Sequence, residues 1–360
     1  MTTWKGRLRL ALYACLLLAI VVVKLTTVPR TTDQPPSAPP STSSSPFAQS
    51  GPIPRIAIAY DVAGRGSAGF NALAWEGTKR AADALGAELK EITAGPDDTD
   101  ADREERLSKL ANARYYPILV IGSSYAAALA DVAPKYPGTW FGIVDDGTVD
   151  APKVIGIQFS VEQGSFLVGA AAALTSKTGN VGFVSAAQTP VLERFEAGFT
   201  AGARAADPDV MVQVAYLSRP SASAGFSDPA KAKKAALGMY DAGADVIFGA
   251  DGDSGKEVIQ AAHDRGLWAI GVNTDQYLMS NPSVRSAILT SMLKRADVAT
   301  YTITMEIANG VPKDGNNVFG LDRGGVGFST SGGFVDPIKA QLDAFAAKIA
   351  SGEILVPTTP

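Results

Sequence analysis

From Arg55 onward, short apolar runs typical of β-strands alternate with helix-forming segments, and this alternation limits the fold more than any other feature. The first series of predicted strands is RIAIAY, AELKEIT, YPILVIG and TWFGIVD, and the second is NVGFVSA, MVQVAYL, ADVIFGA and LWAIGVN. Strands that alternate with helices form parallel sheets covered on both faces. The two series therefore predict an α/β protein with two parallel-sheet lobes joined by a hinge.

The composition changes twice along the chain. Basic residues precede an uncharged apolar run at positions 10–23, a pattern typical of export with the N-terminus left in the cytoplasm. A stretch rich in Pro, Ser and Thr follows and predicts a disordered linker. The predicted parts are a signal peptide or signal anchor (1–29), a linker (30–54) and a bilobed domain (55–360), with lobe 1 mainly 55–155, lobe 2 mainly 156–280 and a C-terminal part that crosses back near the hinge.

Cys15, the single cysteine, lies in the N-terminal apolar run within LYAC, which resembles a degenerate lipobox. Two interpretations stay open. Cys15 is lipidated after cleavage, or it is one more apolar residue of an uncleaved membrane anchor. Both place the folded domain on the extracytoplasmic face of the cell membrane.

The residue inventory argues against several classes of protein. The net charge is −4, so the chain lacks the basic excess that nucleic-acid binding requires. A single Cys and a single His make a metal cluster or a thiol–imidazole pair improbable, and His263 is interpreted as structural. We therefore expect no catalytic residue, no metal and no cofactor.

The stretch DVAGRGSAGFN carries three glycines spaced as G-x-G-x-x-G after the first predicted strand. That spacing is typical of a dinucleotide site, but Asp61 separates the strand from the glycines and would repel a pyrophosphate. The helix is expected to begin near Asn71, as its N-cap, after the last glycine. The loop is better interpreted as a contact set for a small molecule, in which Phe70 offers a ring face and Asp61 and Asn71 offer polar groups.

Further polar side chains follow other strands. Because ligands of open α/β sheets bind beyond the carboxyl ends of the strands, the site is predicted in the cleft between the lobes. Asp145 follows one strand of the first series, and Asp251 and Asp253 follow one of the second. Each of the three is a candidate ligand contact, with helix capping as the alternative.

The opening motif resembles that of the basic membrane protein family, the PnrA-like purine nucleoside-binding proteins of ABC importers. The likeness continues in order through QGSFLVGAAAAL, KTGNVGFV, RFEAGFTAG, DPAKAKKAALGMYDAGADVIF, GVNTDQ and SMLKRADVA, over residues 55–310. The resemblance implies a type I periplasmic-binding fold that closes on a purine nucleoside, with ABC permease subunits as partners.

The resemblance also implies contacts to the base. Phe70 and Phe248 would sandwich the ring. Asp61 and Asn71 would form hydrogen bonds with its edge.

Asn273 and Lys294 would face the ribose hydroxyls. Asn273 stands where the family often has Asp, so a carboxylate that accepts from both hydroxyls is replaced by an amide.

Two alternatives from other classes stay open. The same bilobed fold serves in membrane-coupled sensing domains with a different small ligand. An enzyme, such as a nucleoside hydrolase, is the second alternative, and the lack of a His/Cys constellation argues against it.

Overall fold

The computed structural model describes residues 54–66, 69–218, 228–250 and 255–360. The predicted signal segment, the linker up to residue 53, Cys15, Asp251 and Asp253 lie outside these residues. The described strands are β1 (Arg55–Tyr60), β2 (Glu88–Thr93), β3 (Ile118–Ile121), β4 (Phe141–Val144), β5 (Val154–Phe159), β6 (Asn180–Ser185), β7 (Met211–Tyr216), β8 (Val246–Ala250), β9 (Trp268–Gly271), β10 (Ile288–Lys294), β11 (Gly315–Phe319) and β12 (Val326–Phe328).

Helices connect most of these strands. They are α1 (Phe70–Leu85), α2 (Asp100–Asn112), α3 (Ala126–Val132), α4 (Val161–Thr175), α5 (Pro190–Ala206), α6 (Pro229–Asp241), α7 (Gly255–Arg265), α8 (Gln276–Met279), α9 (Ala296–Ala308) and α10 (Lys339–Ala350). Each of these helices is too short or too polar to span a bilayer, a finding that holds for the described part of the chain.

Several helix starts follow directly from local sequence. Thr99 and Asp102 form a capping box at the start of α2, in which each side chain binds the backbone amide of the other residue. Thr189 and Asp228 accept backbone hydrogen bonds at the starts of α5 and α6, and each is followed by a proline at the first helical position. These caps satisfy amides that a helix leaves unpaired.

The described strands form two six-stranded sheets. The first sheet has the order β11-β5-β4-β3-β1-β2 and the second has the order β12-β10-β9-β8-β6-β7. The first sheet is parallel throughout, and in the second only β12 runs antiparallel to its neighbour. The α/β class with two parallel-dominated sheets, predicted from the alternation of segments, is confirmed.

Both predicted lobe limits, 155 and 280, fall short of the strands that complete the sheets. Lobe 1 was predicted to extend mainly to residue 155, but β5 pairs with β4 through Ile157 and belongs to the first sheet up to Phe159. Likewise β10 lies in the second sheet, beyond the predicted limit of 280. An apolar run fully buried in a parallel sheet carries no alternation to show which sheet it joins.

The described chain passes between the sheets at three places. After β5, helix α4 packs on α5, which follows β6 in the second sheet. After β10, helix α9 packs on α1, which follows β1 in the first sheet. The third passage leads from β11 to β12. Each half of the domain therefore contains helices supplied by the other half of the sequence.

The helix pairs at these passages pack closely because small residues lie at their contacts. Gly198 and Gly202 of α5 face the backbone of α4, so that a Cβ atom on either would overlap a carbonyl oxygen. At the other pair, the Thr300 hydroxyl of α9 donates to the carbonyl oxygen of Ala74 in α1, at 2.9 Å. This hydrogen bond and the close approach of the backbones at the glycines hold each helix against its partner.

Candidate functional site

A cavity of about 670 Å³ lies between the loop before α1 and the segments around α7 and α8. Phe70 lines it from the first half of the domain, and Asn273 lines it from the loop after β9. The volume is within the usual range for small-molecule sites. Parallel sheets carry such sites at their carboxyl ends, and both residues come from such ends.

The glycine loop is shaped by its backbone. Gly64, Gly66 and Gly69 have φ angles of 63°, 66° and 103°, which L side chains rarely adopt. Helix α1 begins at Phe70, directly after Gly69, and no side chain caps it. The expectation that Asn71 is the N-cap is therefore wrong, because the helix begins one residue before it.

Asp61 and Asn71 contact each other, but neither is among the residues that line the cavity. The Asn71 amide donates to the carbonyl oxygen of Gly64 at 2.7 Å and to Asp61 Oδ1 at 3.3 Å. The same Oδ1 atom accepts from the backbone amide of Ala63 at 3.1 Å. These bonds fold the loop back on the start of α1. Both side chains thus organise the loop, whatever else they contact.

The neighbouring phenol of Tyr60 does not add charge to this region. Burial, followed by the nearby Glu91 carboxylate, raises the pKa of Tyr60 well above its ordinary value. The hydroxyl remains neutral at physiological pH and donates to Glu91 Oε2 at 3.3 Å.

Lys294, the last residue of β10, is buried with 5% of its surface exposed. Its ammonium binds both carboxylate oxygens of Asp145, each at 2.7 Å. The Nζ atom also lies 4.8 Å from the ring centre of Phe70 and 5.3 Å from that of Phe159. A cation in this position is attracted by the ring faces and by the carboxylate together.

Asn273 has two notable features. Its φ angle is 66°, a left-handed conformation that Asn tolerates better than most residues. Its side-chain Oδ1 atom is buried and has no hydrogen-bond partner among the residues that the structure describes. A buried acceptor left unpaired destabilises a fold by about 1–3 kcal/mol.

Phe248 is not part of this site. It lies in the middle of β8 with 0% of its surface exposed, two residues before the strand ends. Its ring packs against Phe183, Phe195 and Phe199, with centroid distances of 5.7, 6.4 and 5.6 Å. The prediction that Phe248 stacks on a ligand base is therefore corrected: the residue belongs to the core.

The structure also shows side chains that sequence reasoning missed. Phe159 contacts Phe70 edge to face at 6.0 Å and flanks the Lys294 ammonium. Glu257, Gln260 and Gln276 line the cavity. The signal for Phe159 and Gln276 was their position at or just beyond a strand end. Glu257 and Gln260 carry no such signal, because they lie on a helix face.

Two carboxylates near strand ends do serve as local caps. Asp146 accepts from the backbone amide and the hydroxyl of Thr148, both at 2.7 Å. Asp275 accepts from the Leu278 amide at the start of α8. Within the described ranges, no group of three His, Cys, Asp or Glu side chains is arranged to hold a metal ion.

Comparison with known proteins places the chain in a family. Residues 54–360 match the family model described as Bmp, ABC transporter substrate-binding protein PnrA-like. The CD4+ T-cell-stimulating antigen of Listeria monocytogenes is 32% identical over 323 residues, covering 85% of this chain and 88% of its own. The ABC transporter nucleoside-binding protein BmpA of Lactococcus lactis is 29% identical, covering 84% and 89%.

Solved structures agree on the fold. A solute-binding protein of an ABC transporter system from Aeropyrum pernix matches with a TM-score of 0.65 and 26% identity, over 85% of this chain and 94% of its own. A second, from Conexibacter woesei, matches with a TM-score of 0.70 and 23% identity, over 84% and 99%. The chain therefore belongs to the Bmp family of PnrA-like ABC transporter substrate-binding proteins, whose members bind solutes and are not classed as enzymes.

Proposed function

We propose that this protein binds a purine nucleoside in the cavity beside Phe70 and delivers it to an ABC importer. The observation that carries the proposal is Asn273, which lines the cavity and whose buried Oδ1 acceptor has no hydrogen-bond partner among the described residues. A ribose hydroxyl that donates to this atom would satisfy a group that is otherwise costly to bury. The relative BmpA, which is named as nucleoside-binding, supports the class of ligand.

The Phe70 ring supplies the apolar face that a purine needs. It lines the cavity and is held from behind by Phe159, so a base would meet a fixed surface. Stacking of a base on an aromatic side chain contributes about 1–3 kcal/mol. With Phe248 in the core, the opposite face of the base would rest on other groups of the cleft, among which Val272 is the apolar neighbour of Asn273.

The remaining contacts are proposed as the sequence predicts them. Asp61 and Asn71 would form hydrogen bonds with the base edge, and Lys294 would face the ribose. The domain would act outside the cytoplasm, held at the membrane by its N-terminal segment, and it would have no catalytic activity. Ligand binding would favour a closed form that presents both halves to the permease.

Binding is tested with the purified full chain in detergent. Its melting temperature would be measured with adenosine, guanosine, inosine, cytidine, free bases and free ribose. A ligand present at 1,000 times its dissociation constant adds about 4 kcal/mol of stability, a clear upward shift. A shift with purine nucleosides that exceeds the shift with free base or ribose supports the proposal. No shift with any nucleoside contradicts it.

Transport is tested separately, by co-purification of the full chain with permease subunits from its own membrane. Co-purification that increases with nucleoside supports delivery to an importer. Nucleoside binding without any permease would favour the alternative of a membrane-coupled sensing domain. Release of free base from a bound nucleoside would instead indicate an enzyme.

A further inference from the structure

The ion pair between Asp145 and Lys294 joins the two sheets at the binding cleft. Asp145 directly follows β4 of the first sheet, and Lys294 ends β10 of the second. Each carboxylate oxygen accepts one hydrogen bond from the ammonium group, at an Nζ–O distance of 2.7 Å. Because an ammonium has three protons, this arrangement leaves one for any other acceptor.

The two partners differ sharply in exposure. The Lys294 side chain is 6% exposed, whereas the Asp145 side chain is 43% exposed. The cation is therefore the buried side of the ion pair, and the carboxylate is its solvent-exposed side. A group that reached the ammonium from that side would have to replace Asp145 or approach past it.

The backbone shows that the position of Asp145 is well determined. Its φ angle is 67°, in the left-handed region that a non-glycine residue rarely occupies. Its amide still bonds the carbonyl oxygen of Ile157 at 2.7 Å, which extends the ladder between β4 and β5. The chain turns abruptly at this residue, and the turn carries the carboxylate to Lys294.

We propose that Asp145 determines the charge selectivity of the cleft: by neutralising Lys294, it makes the site accept an uncharged hydroxyl-bearing ligand and reject an anionic one. This inference rests on the proposed function for the identity of the neutral ligand. It extends that function by assigning a specific role to Asp145, which the sequence offers only as a candidate ligand contact. Asp145 is thus a specificity-determining residue.

The cavity wall carries charged residues of both signs, Lys256 and Glu257, so the wall alone does not select an uncharged ligand. The selectivity is therefore assigned to the ion pair of Asp145 and Lys294. With Lys294 already paired, a phosphate entering beside Asp145 meets negative charge and cannot form its own ion pair. An uncharged hydroxyl suffers no such repulsion and can accept the remaining ammonium proton.

Removal of the carboxylate should reverse the preference. In Asp145→Asn the amide keeps the size of the side chain but leaves the ammonium between two rings without a counter-ion. A buried cation without its partner is strongly unfavourable, so an external anion is expected to take the place of the carboxylate. We expect the affinity for inorganic phosphate to rise by about tenfold or more over the wild-type chain.

The experiment uses the full chain in detergent and three probes: inosine, inosine 5′-monophosphate and inorganic phosphate. The variants are Asp145→Asn, Lys294→Met and the double variant, with Asp131→Asn as the control. Asp131 is an exposed carboxylate on α3, so its replacement makes the same change of net charge away from the cleft. Binding is measured by calorimetry, and circular dichroism establishes that each variant is folded.

Three results support the inference when they occur together. Asp145→Asn gains affinity for phosphate and for the monophosphate, Asp131→Asn does not, and Lys294→Met abolishes the gain in the double variant. A gain that persists without Lys294 overturns the inference, because another cation would then be responsible. Equal binding of inosine and its monophosphate by the wild-type chain also overturns it.

The phosphate probe separates this inference from the proposed function. If no form of the chain binds inosine, but Asp145→Asn gains phosphate affinity through Lys294, the nucleoside proposal fails while the charge role of Asp145 stands. If inosine binds and Asp145→Asn gains nothing for phosphate, the charge role fails while the nucleoside proposal stands. Should Asp145→Asn not fold, Asp145→Ser provides the same loss of charge with a smaller side chain.

Discussion

The backbone amide of Lys294 donates a hydrogen bond to the carbonyl oxygen of Asn273 at 2.9 Å. This bond joins the end of β10 to the loop after β9, so the backbones of the two residues expected to face the ribose are held together. A ligand with neighbouring hydroxyls is expected to use both.

Asn273→Gly removes the acceptor without backbone strain, since glycine adopts a φ of 66° readily. We expect the affinity for a purine nucleoside to fall about tenfold, which corresponds to the loss of one hydrogen bond from a buried group. Calorimetric titration with inosine and with hypoxanthine measures the effect. The free base lacks the ribose, and an equal loss of affinity for both ligands would contradict a ribose contact.

Phe70→Ala removes the ring that lines the cavity. The expected loss of nucleoside binding is about 1–3 kcal/mol, the usual value for a base stacked on one aromatic side chain. The change in melting temperature produced by adenosine measures it. Phe70→Tyr keeps the ring face and should retain most of the shift, so a similar loss in both variants would argue against stacking.

Phe248→Ala tests the correction made by the structure. Because the ring fills the core between Phe183, Phe195 and Phe199, its removal should lower the free energy of unfolding by about 3–5 kcal/mol. Urea denaturation measures this loss. Phe248→Leu should cost less, roughly 1–2 kcal/mol, and bind nucleoside as the wild-type chain does. If the Leu variant is stable but fails to bind nucleoside, Phe248 belongs to the binding site after all.

The sequence predicted the two sheets correctly because strand and helix segments differ in length and in apolar pattern. Phe70 and Asn273, which the sequence proposed as ligand contacts, line one cavity, since residues at the carboxyl ends of parallel strands meet at one edge; their contact with a ligand stays a prediction. The sequence failed for Phe248 because β8 is apolar throughout. Without an alternation of polar and apolar residues, the sequence does not show which side chain of the strand faces the cleft and which is buried in the core. The contact between Lys294 and Asp145 joins residues 149 positions apart and depends on how the sheets face each other.

Gly202→Ala probes the close packing of α4 and α5. The added Cβ would overlap the carbonyl oxygen of Phe166, and neither backbone can move easily, so we expect a loss of about 1–3 kcal/mol in unfolding free energy. Gly238→Ala is the matched control, because this glycine lies in α6 with open space around it. That variant should gain about 0.5–1 kcal/mol. Equal effects in the two variants would contradict the packing argument.

Asp297, at the start of α9, makes the stability of the fold depend on pH. Burial alone would raise the pKa of Asp297. The Arg295 guanidinium outweighs this effect, through hydrogen bonds of 2.9 and 2.7 Å and through its positive charge, and holds the pKa of Asp297 below the ordinary value of 3.8. A carboxylate whose pKa is lower in the folded state than in the unfolded state stabilises the fold at pH values above its unfolded-state pKa. That contribution is lost as the pH falls through the folded-state pKa.

Asp297→Asn should therefore be less stable than the wild-type chain at pH 6, and the difference should shrink as the pH falls below about 4. Melting temperatures measured between pH 6 and pH 2.5 check this. Asp314→Asn, an exposed carboxylate in the segment before β11, is the control for general charge effects. A constant difference between Asp297→Asn and wild type across the whole range would show that the ion pair with Arg295 contributes nothing.

The chain passes between the two sheets three times, and these passages also limit the order in which parts of the domain can fold during synthesis. The first sheet gains its sixth strand only when Phe319 has left the ribosome, and α1 gains its partner α9 shortly before. No early fragment of the chain contains a finished half of the domain. An N-terminal product ending near residue 160 would expose the face of α1 that α9 covers. We therefore expect most of the polypeptide to lack its final packing until nearly its whole length has been synthesised.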